Sequence, residues 1–223
     1  MKNKSISEIS LIAIVAIPFI YLAYIWNSLP EKVPVHWNIE GEIDRYGEKW
    51  ELLIIPILLP LLTYVILILA PAIDPKGKLA QMGKKYGQLK NLLVVFMTVL
   101  ATYILYSAKT ASISSPNTVI LLIGVLYIII GNYAKTLKPN YFIGIRTPWT
   151  LESPEVWKRT HLVAGKLWFI GGILVTFCSI FFAEKTSMAI FFAITAIICI
   201  IPFIHSFIMH RNLKAARELN ESV

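Results

Sequence analysis

The chain has 223 residues, 57% of them hydrophobic and 15% charged, with a mean hydropathy of +0.66. A soluble domain carries roughly a quarter of its residues as Asp, Glu, Lys and Arg; here the charges sit in short segments between long apolar runs, which excludes an ordinary soluble core and indicates a polytopic membrane protein. The formal net charge of +8 then bears on membrane orientation, and no direct contact with nucleic acid is expected.

Residues 1–5 are short and basic. The apolar run behind them is too long for a signal peptide and lacks a small-residue cleavage site, so it reads as a retained first span. Six runs can cross about 30 Å of hydrocarbon at about 1.5 Å per residue. They cover residues 9–29, 52–72, 91–106, 119–133, 167–183 and 187–209; the third and fourth are short and must borrow flanking residues. Pro18, Pro56, Pro60 and Pro202 fall inside spans and are expected to bend them. Glu184-Lys185-Thr186 is so tight a connection that the last two spans form an antiparallel hairpin. Cys178 and Cys199 lie in apolar runs and read as buried, reduced packing residues. No Asp, Glu, Lys or Arg falls within the runs as drawn, which disfavours a proton relay. His205 and His210 fall on different helix faces, so no metal pair is expected. No cofactor is implied.

The first connection reads "LPEKVPVHWNIEGEIDRYGEKWE". Val33, Val35, Trp37 and Ile39 alternate with Pro34, His36, Asn38 and Glu40, a period of two that suits a short strand. Glu40-Gly41 and Tyr46-Gly47 are turn signals. A small hairpin follows, with Trp37 and Trp50 at headgroup depth. Six acidic residues stand against three basic ones here. The plain reading is a solvated cap; the sharper one is a ligand-contacting surface using His36, Trp37, Asn38, Gly41, Arg45 and Lys49. His36 has no second metal ligand at useful spacing.

The connection before the fifth span contains "NYFIGIRTPWTLESPEVWKRTH". Residues 140–150, with Gly144, Arg146 and Pro148, read as a non-helical, fixed turn that presents Arg146. Ser153-Pro154-Glu155 is a helix start, with Ser153 as cap, Pro154 in the first helical position and Glu155 at the positive dipole end. Trp157, His161, Ala164 and Trp168 then recur on one helix face, with Lys158, Arg159 and Lys166 off the stripe. The segment reads as an amphipathic helix running into the fifth span. For the tryptophans the plain reading is membrane anchoring, and for His161 a packed interfacial residue. Arg146 is open between a lipid-headgroup contact, a structural or partner-binding role, and catalysis.

With the N-terminus cytoplasmic, 16 of the 21 lysines and arginines fall on the inner side and 5 outside. The positive-inside rule therefore places both termini and Arg146 in the cytoplasm and the first connection outside. No internal repeat is evident.

The two connections together resemble the SdpI family of bacterial membrane immunity proteins. The inner stretch is similar to the family's defining motif, with its Gly-x-Arg-Thr-Pro-Trp-Thr core and following Trp and His. The outer "VPVHWNIEGEIDRYGEK" is similar to the small N-terminal domain of unassigned function that often precedes the SdpI region. The resemblance implies an all-α protein of the bacterial cell membrane with six spans. It divides into residues 1–110, which carry the outer loop, and 111–223, which carry the motif. It implies protection against a secreted peptide toxin at the outer face. It also implies signalling, with a cytoplasmic winged-helix autorepressor held at the membrane. Anionic lipid is a further partner expected from Arg146 and the exposed basic residues themselves. The motif positions are Asn140, Gly144, Arg146, Thr147, Pro148, Trp149, Thr150, Trp157 and His161. The competing readings are a membrane enzyme acting on lipid or peptide, with Arg146 on phosphate and His161 as base, and a small-solute or peptide transporter. Glu152 and Glu155 are the only acids near the motif, which counts against the enzyme.

Overall fold

A computed structural model describes residues 7–38, 40–112 and 115–221. Ile39 and the basic start, residues 1–5, lie outside the described residues. The helices are α1 (Glu8–Ile25), α2 (Ile54–Pro56), α3 (Leu62–Ile73), α4 (Lys84–Thr110), α5 (Pro116–Ala134), α6 (Pro148–Glu152), α7 (Pro154–Phe181) and α8 (Glu184–Glu221). Among the described residues, six helical segments are long and apolar enough to cross a membrane: Glu8–Ser28, Lys49–Ile73, Lys84–Thr110, Pro116–Ala134, Pro154–Phe181 and Glu184–Ala216. The protein is a multi-pass membrane protein, and its outward isoleucines, leucines and phenylalanines (Ile20, Leu69, Ile180 and Phe192 among them) are exposed because lipid is their solvent.

Every span but the first is longer than its apolar run, since the helices continue past the hydrophobic residues at one or both ends. The third gains Lys84 to Lys90, and the buried Lys90 ammonium pairs with Glu8 at the start of α1. Ser7 caps α1, and Ser115 caps α5 with Pro116 in the first turn. The second span departs from regular α-helix around its prolines. It passes through a 3-10 turn at Lys49–Leu53, then α2, then a π turn at Ile57–Leu61 containing Pro60, before α3. The last connection is shorter than read. Glu184, Lys185 and Thr186 already belong to α8, leaving Phe182 and Ala183 between the helices. Cys178 and Cys199 are unpaired, but neither is buried as expected: Cys178 is half-buried and Cys199 exposed, on a face that lipid covers.

The closest helix contact joins α5 and α7, and glycine makes it possible. A Cβ on Gly131 would strike the backbone of Phe169 and, at 2.8 Å, the carbonyl of Gly165. A Cβ on Gly172 would lie 2.7 Å from the Gly124 carbonyl. Gly124 and Gly131 on one helix thus face Gly172 and Gly165 on the other, the small-residue packing that lets membrane helices approach closely. Trp168 of α7 links both neighbours: its ring packs edge-on against Tyr127 of α5, and its Nε1 donates to the Ile198 carbonyl of α8 at 3.0 Å.

The first connection is an antiparallel hairpin of β1 (Lys32–Trp37) and β2 (Ile43–Glu48), pairing Val33 with Gly47 and Trp37 with Ile43. Asn38 and Gly41 make its turn: Asn38 Oδ1 accepts from the amides of Glu40 and Glu42, and Gly41 has φ +80°. Tyr46-Gly47 is not a turn. Gly47 sits inside β2, where a Cβ would meet the Glu51 carboxylate that caps the next helix. Val33, with Leu22, Ile25, Leu29, Leu52 and Leu105, forms the core under the hairpin. A second core at the opposite end gathers Leu67, Leu79, Tyr86, Leu89, Leu137 and Trp157. The beginning of α1, the end of α8 and residues 140–153 share that opposite end.

Candidate functional site

Residues 140–161 form one hydrogen-bonded unit, built inward from Asn140. That side chain is fully buried. Its Nδ2 donates to the carbonyls of Lys138 (2.8 Å) and Ile143 (3.0 Å), and its Oδ1 accepts from the amides of Phe142 and Ile143, both at 2.8 Å. All its capacity is used on the loop's own backbone.

Gly144 comes next, with φ +117°, a region that favours glycine. A Cβ there would stand 2.5 Å from His161 Nε2 and 3.1 Å from the Trp157 ring. That clearance brings the Ile145 amide within 3.0 Å of His161 Nε2. His161 Nδ1 is 2.8 Å from the Trp157 carbonyl. A backbone amide only donates and a carbonyl only accepts, so Nε2 accepts and Nδ1 carries the proton: the imidazole is the neutral Nδ1–H tautomer. Both nitrogens are committed, which leaves no lone pair for the base role that the enzyme reading required. Trp157 stacks on the imidazole, ring centres 4.1 Å apart, and donates from Nε1 to the Leu137 carbonyl at 2.8 Å.

The tryptophan stripe therefore does not anchor the protein in lipid. Trp157, His161 and Ala164 are all buried because the loop folds back over that face of α7. Ser153 caps α7 as expected, accepting from the Val156 amide at 3.3 Å. Lys158, Arg159 and Lys166 are exposed, with Arg159 paired to Glu155.

Residues 140–150 were expected to be non-helical throughout, and the last three are not. Thr147 and Thr150 form a reciprocal cap: the Thr147 amide donates to Thr150 Oγ1 at 2.9 Å, and the Thr150 amide to Thr147 Oγ1 at 3.2 Å. Pro148 then fits the first position of α6. The signal was present in Thr-Pro-Trp-Thr, where threonine stands in for the usual Glu or Gln of a capping box. Trp149 turns onto α8, donating to Ser206 Oγ at 2.7 Å and packing edge-on against Phe203 and Phe207. Arg146 is exposed, and its guanidinium donates to the Tyr141 carbonyl.

The connection between α3 and α4 also braces the loop. Asp74 accepts from the amides of Lys78 (2.8 Å) and Leu79 (3.0 Å), and Lys76 Nζ donates to the Leu151 carbonyl at 2.8 Å. These residues escaped the sequence reading, as no local pattern links residue 76 to residue 151. Beneath the loop lies a cavity of about 340 Å³ lined by Leu89, Leu137, Ile145, His161 and Trp168 among others.

At the opposite end, the outer-loop residues divide. Arg45 and Lys49 pair with Glu51 (3.7 Å) and Glu31 (3.2 Å), and His36 Nδ1 is 2.6 Å from Asp44. The Glu48 carboxylate hydrogen-bonds Lys32 and holds its ammonium above the ordinary lysine range. Asn38 and Gly41 are spent on the turn. His36, Trp37 and Asn38 also line a cavity against α4, α5 and α8.

The SdpI/YfhL protein family model matches residues 136–206, and a domain of unknown function, DUF1648, matches residues 13–59. The chain is 25% identical over 217 residues to "Immunity protein SdpI" of Bacillus subtilis (strain 168), covering 97% of this chain and 100% of that protein. An uncharacterized protein of Archaeoglobus fulgidus is 34% identical over 97 residues, 44% of this chain and 49% of its own. No solved structure matches. The family region spans the whole Asn140–His161 unit together with Ser206 of α8, against which Trp149 docks; this membrane protein carries an SdpI/YfhL family region with a DUF1648 region ahead of it, and its similarity to an SdpI protein runs the length of both chains.

Proposed function

We propose that this protein protects the membrane of the bacterium that makes it against a secreted peptide toxin. The observation that carries this reading is the full-length similarity to an immunity protein, 97% of one chain against 100% of the other. The hairpin face is then outside and takes the peptide, and both termini are cytoplasmic, as the lysine and arginine distribution favours. The division at residues 110 and 111 fits a toxin-facing half and a motif-bearing half.

The inner unit supports a second output. Its buried members, Asn140, Thr147, Thr150, Trp157 and His161, fix a backbone from which Tyr141, Arg146 and Pro148 project, beside exposed Lys158 and Arg159. That basic, rigid surface suits an acidic patch on a soluble winged-helix repressor better than a flexible loop would, and anionic lipid is its other natural contact. The two faces are joined by α4 and α7, so an outer ligand that biases their packing reaches the inner surface.

The test is expression in a sensitive host challenged with secreted peptide toxins, with survival as readout. Equal killing with and without the protein, at confirmed membrane abundance, refutes the immunity reading. Orientation is checked separately by cysteine labelling: Glu42→Cys is expected to react from outside and Lys158→Cys from inside.

A further inference from the structure

The cavity under the hairpin has a volume of about 440 Å³, within the roughly 300–1,000 Å³ of small-ligand pockets. Its walls are mostly apolar: Val35, Ile55, Ile104, Ile120, Ile123 and Phe191. Three polar side chains interrupt them: Trp37, Tyr103 and Ser107. Their Nε1, Oη and Oγ atoms are buried, and none has a hydrogen-bond partner among the described residues. Ser107 as a whole is only 2% exposed. Of eight such orphaned side-chain atoms, three belong to residues that line this one cavity. Buried polar groups without partners are costly, and a cluster of them in a cavity wall is explained by a ligand that supplies the partners.

The chemistry of that ligand follows from the donors. An indole N–H only donates, so Trp37 calls for an acceptor; the two hydroxyls take either role. The walls call for apolar bulk. A carbonyl within an apolar chain satisfies both, and a peptide main chain or a lipid ester each provides one. The rim decides between them. Residues 31–51 hold six acidic against three basic side chains, and Glu40 and Glu42 are exposed at the hairpin tip. An anionic or zwitterionic headgroup gains nothing from an acidic rim, whereas a peptide with cationic flanks does.

We propose that this cavity seats an apolar peptide segment. A main-chain carbonyl of the segment accepts from Trp37 Nε1, Tyr103 and Ser107 bond the adjoining amides, and lysine or arginine flanks lie on the hairpin. The proposal rests on the immunity reading and on the hairpin facing outward.

The test uses the full chain in phosphatidylcholine nanodiscs with ¹⁵N-labelled tryptophan. Six tryptophans give six indole signals, and Trp37→Phe identifies one. The probes are a synthetic leucine-rich peptide with lysines at both ends, the same peptide with glutamates there, and lysophosphatidylglycerol. The lysine-flanked peptide is expected to shift the Trp37 signal saturably and the other two much more weakly. Ser107→Val is expected to weaken the peptide's effect about fivefold, the equivalent of one hydrogen bond. The same variant melts no lower than the parent, since it replaces an orphaned hydroxyl with an apolar group. A stronger response to lysophosphatidylglycerol, an equal response to the glutamate peptide, or an unmoved Trp37 signal overturns the proposal. Host protection is scored in parallel. Protection that persists while the Trp37 signal stays still refutes the cavity and leaves the immunity reading standing. Absent protection refutes that reading, while the spectrum still judges the cavity.

Discussion

Gly144→Ala tests whether the motif is a fixed scaffold. The new methyl faces two penalties. Alanine at φ +117° occupies a region left almost entirely to glycine, at a cost of about 1–3 kcal/mol. Its Cβ also stands 2.5 Å from His161 Nε2, so the imidazole must move and the Ile145 amide loses its acceptor. Leaving that buried pair unsatisfied costs about 1–3 kcal/mol more. The total is roughly 2–6 kcal/mol, and at about 2–4 °C per kcal/mol for a chain of this size the melting temperature falls by on the order of 10 °C. Gly87→Ala is the control. Gly87 lies in α4 with no atom near a built Cβ, so alanine there stabilises the helix by up to about 1 kcal/mol. The assay is thermal unfolding of the purified proteins in nanodiscs, with hydrogen exchange of the Ile145 amide as the local readout. Equal melting of the two variants, with Ile145 still protected in Gly144→Ala, refutes the proposed role of Gly144 and of the His161 bond.

Gly131→Ala is expected to be far more disruptive than Gly171→Ala. The first methyl meets the Phe169 backbone, whereas the second meets only the Cγ2 methyls of Ile198 and Ile194; folded yield in detergent checks the order. Arg146→Ala and Arg146→Lys are both expected to impair function more than Lys158→Ala, because Arg146 projects from a rigid turn and its planar fork is not matched by an ammonium. Wild-type output from both Arg146 variants at equal abundance reduces the residue to a headgroup contact. Lys158→Glu with Arg159→Glu is expected to preserve toxin resistance and weaken repressor recruitment, measured by repressor localisation with and without toxin. If survival and recruitment fall together with protein level, the two outputs are not separable at this surface.

Features that depend on local order along the chain were legible before any fold was known. Six apolar runs imply six spans, Ser153-Pro154-Glu155 implies the start of α7, and the alternation after Val33 implies a strand, since hydrophobic transfer, capping and side-chain period act between near neighbours. The sequence also marked His161 and the glycine-arginine turn as unusual for a membrane protein. Direction was another matter. A tryptophan on a helix face buries itself equally well in lipid or in protein, and only the fold-back of residues 140–147 decided that Trp157 faces protein. Likewise no local pattern marks Tyr103 inside the third apolar run or Ser107 just past its end. They became notable only when the hairpin, α5 and α8 closed a cavity around them without giving them partners. The glycines of α5 and α7 carry no signal in either helix alone, because what they permit is an approach between backbones distant in sequence. Tertiary packing decided these points because hydrogen-bond satisfaction and close contact belong to pairs of atoms, and the chain order does not say which pairs will meet.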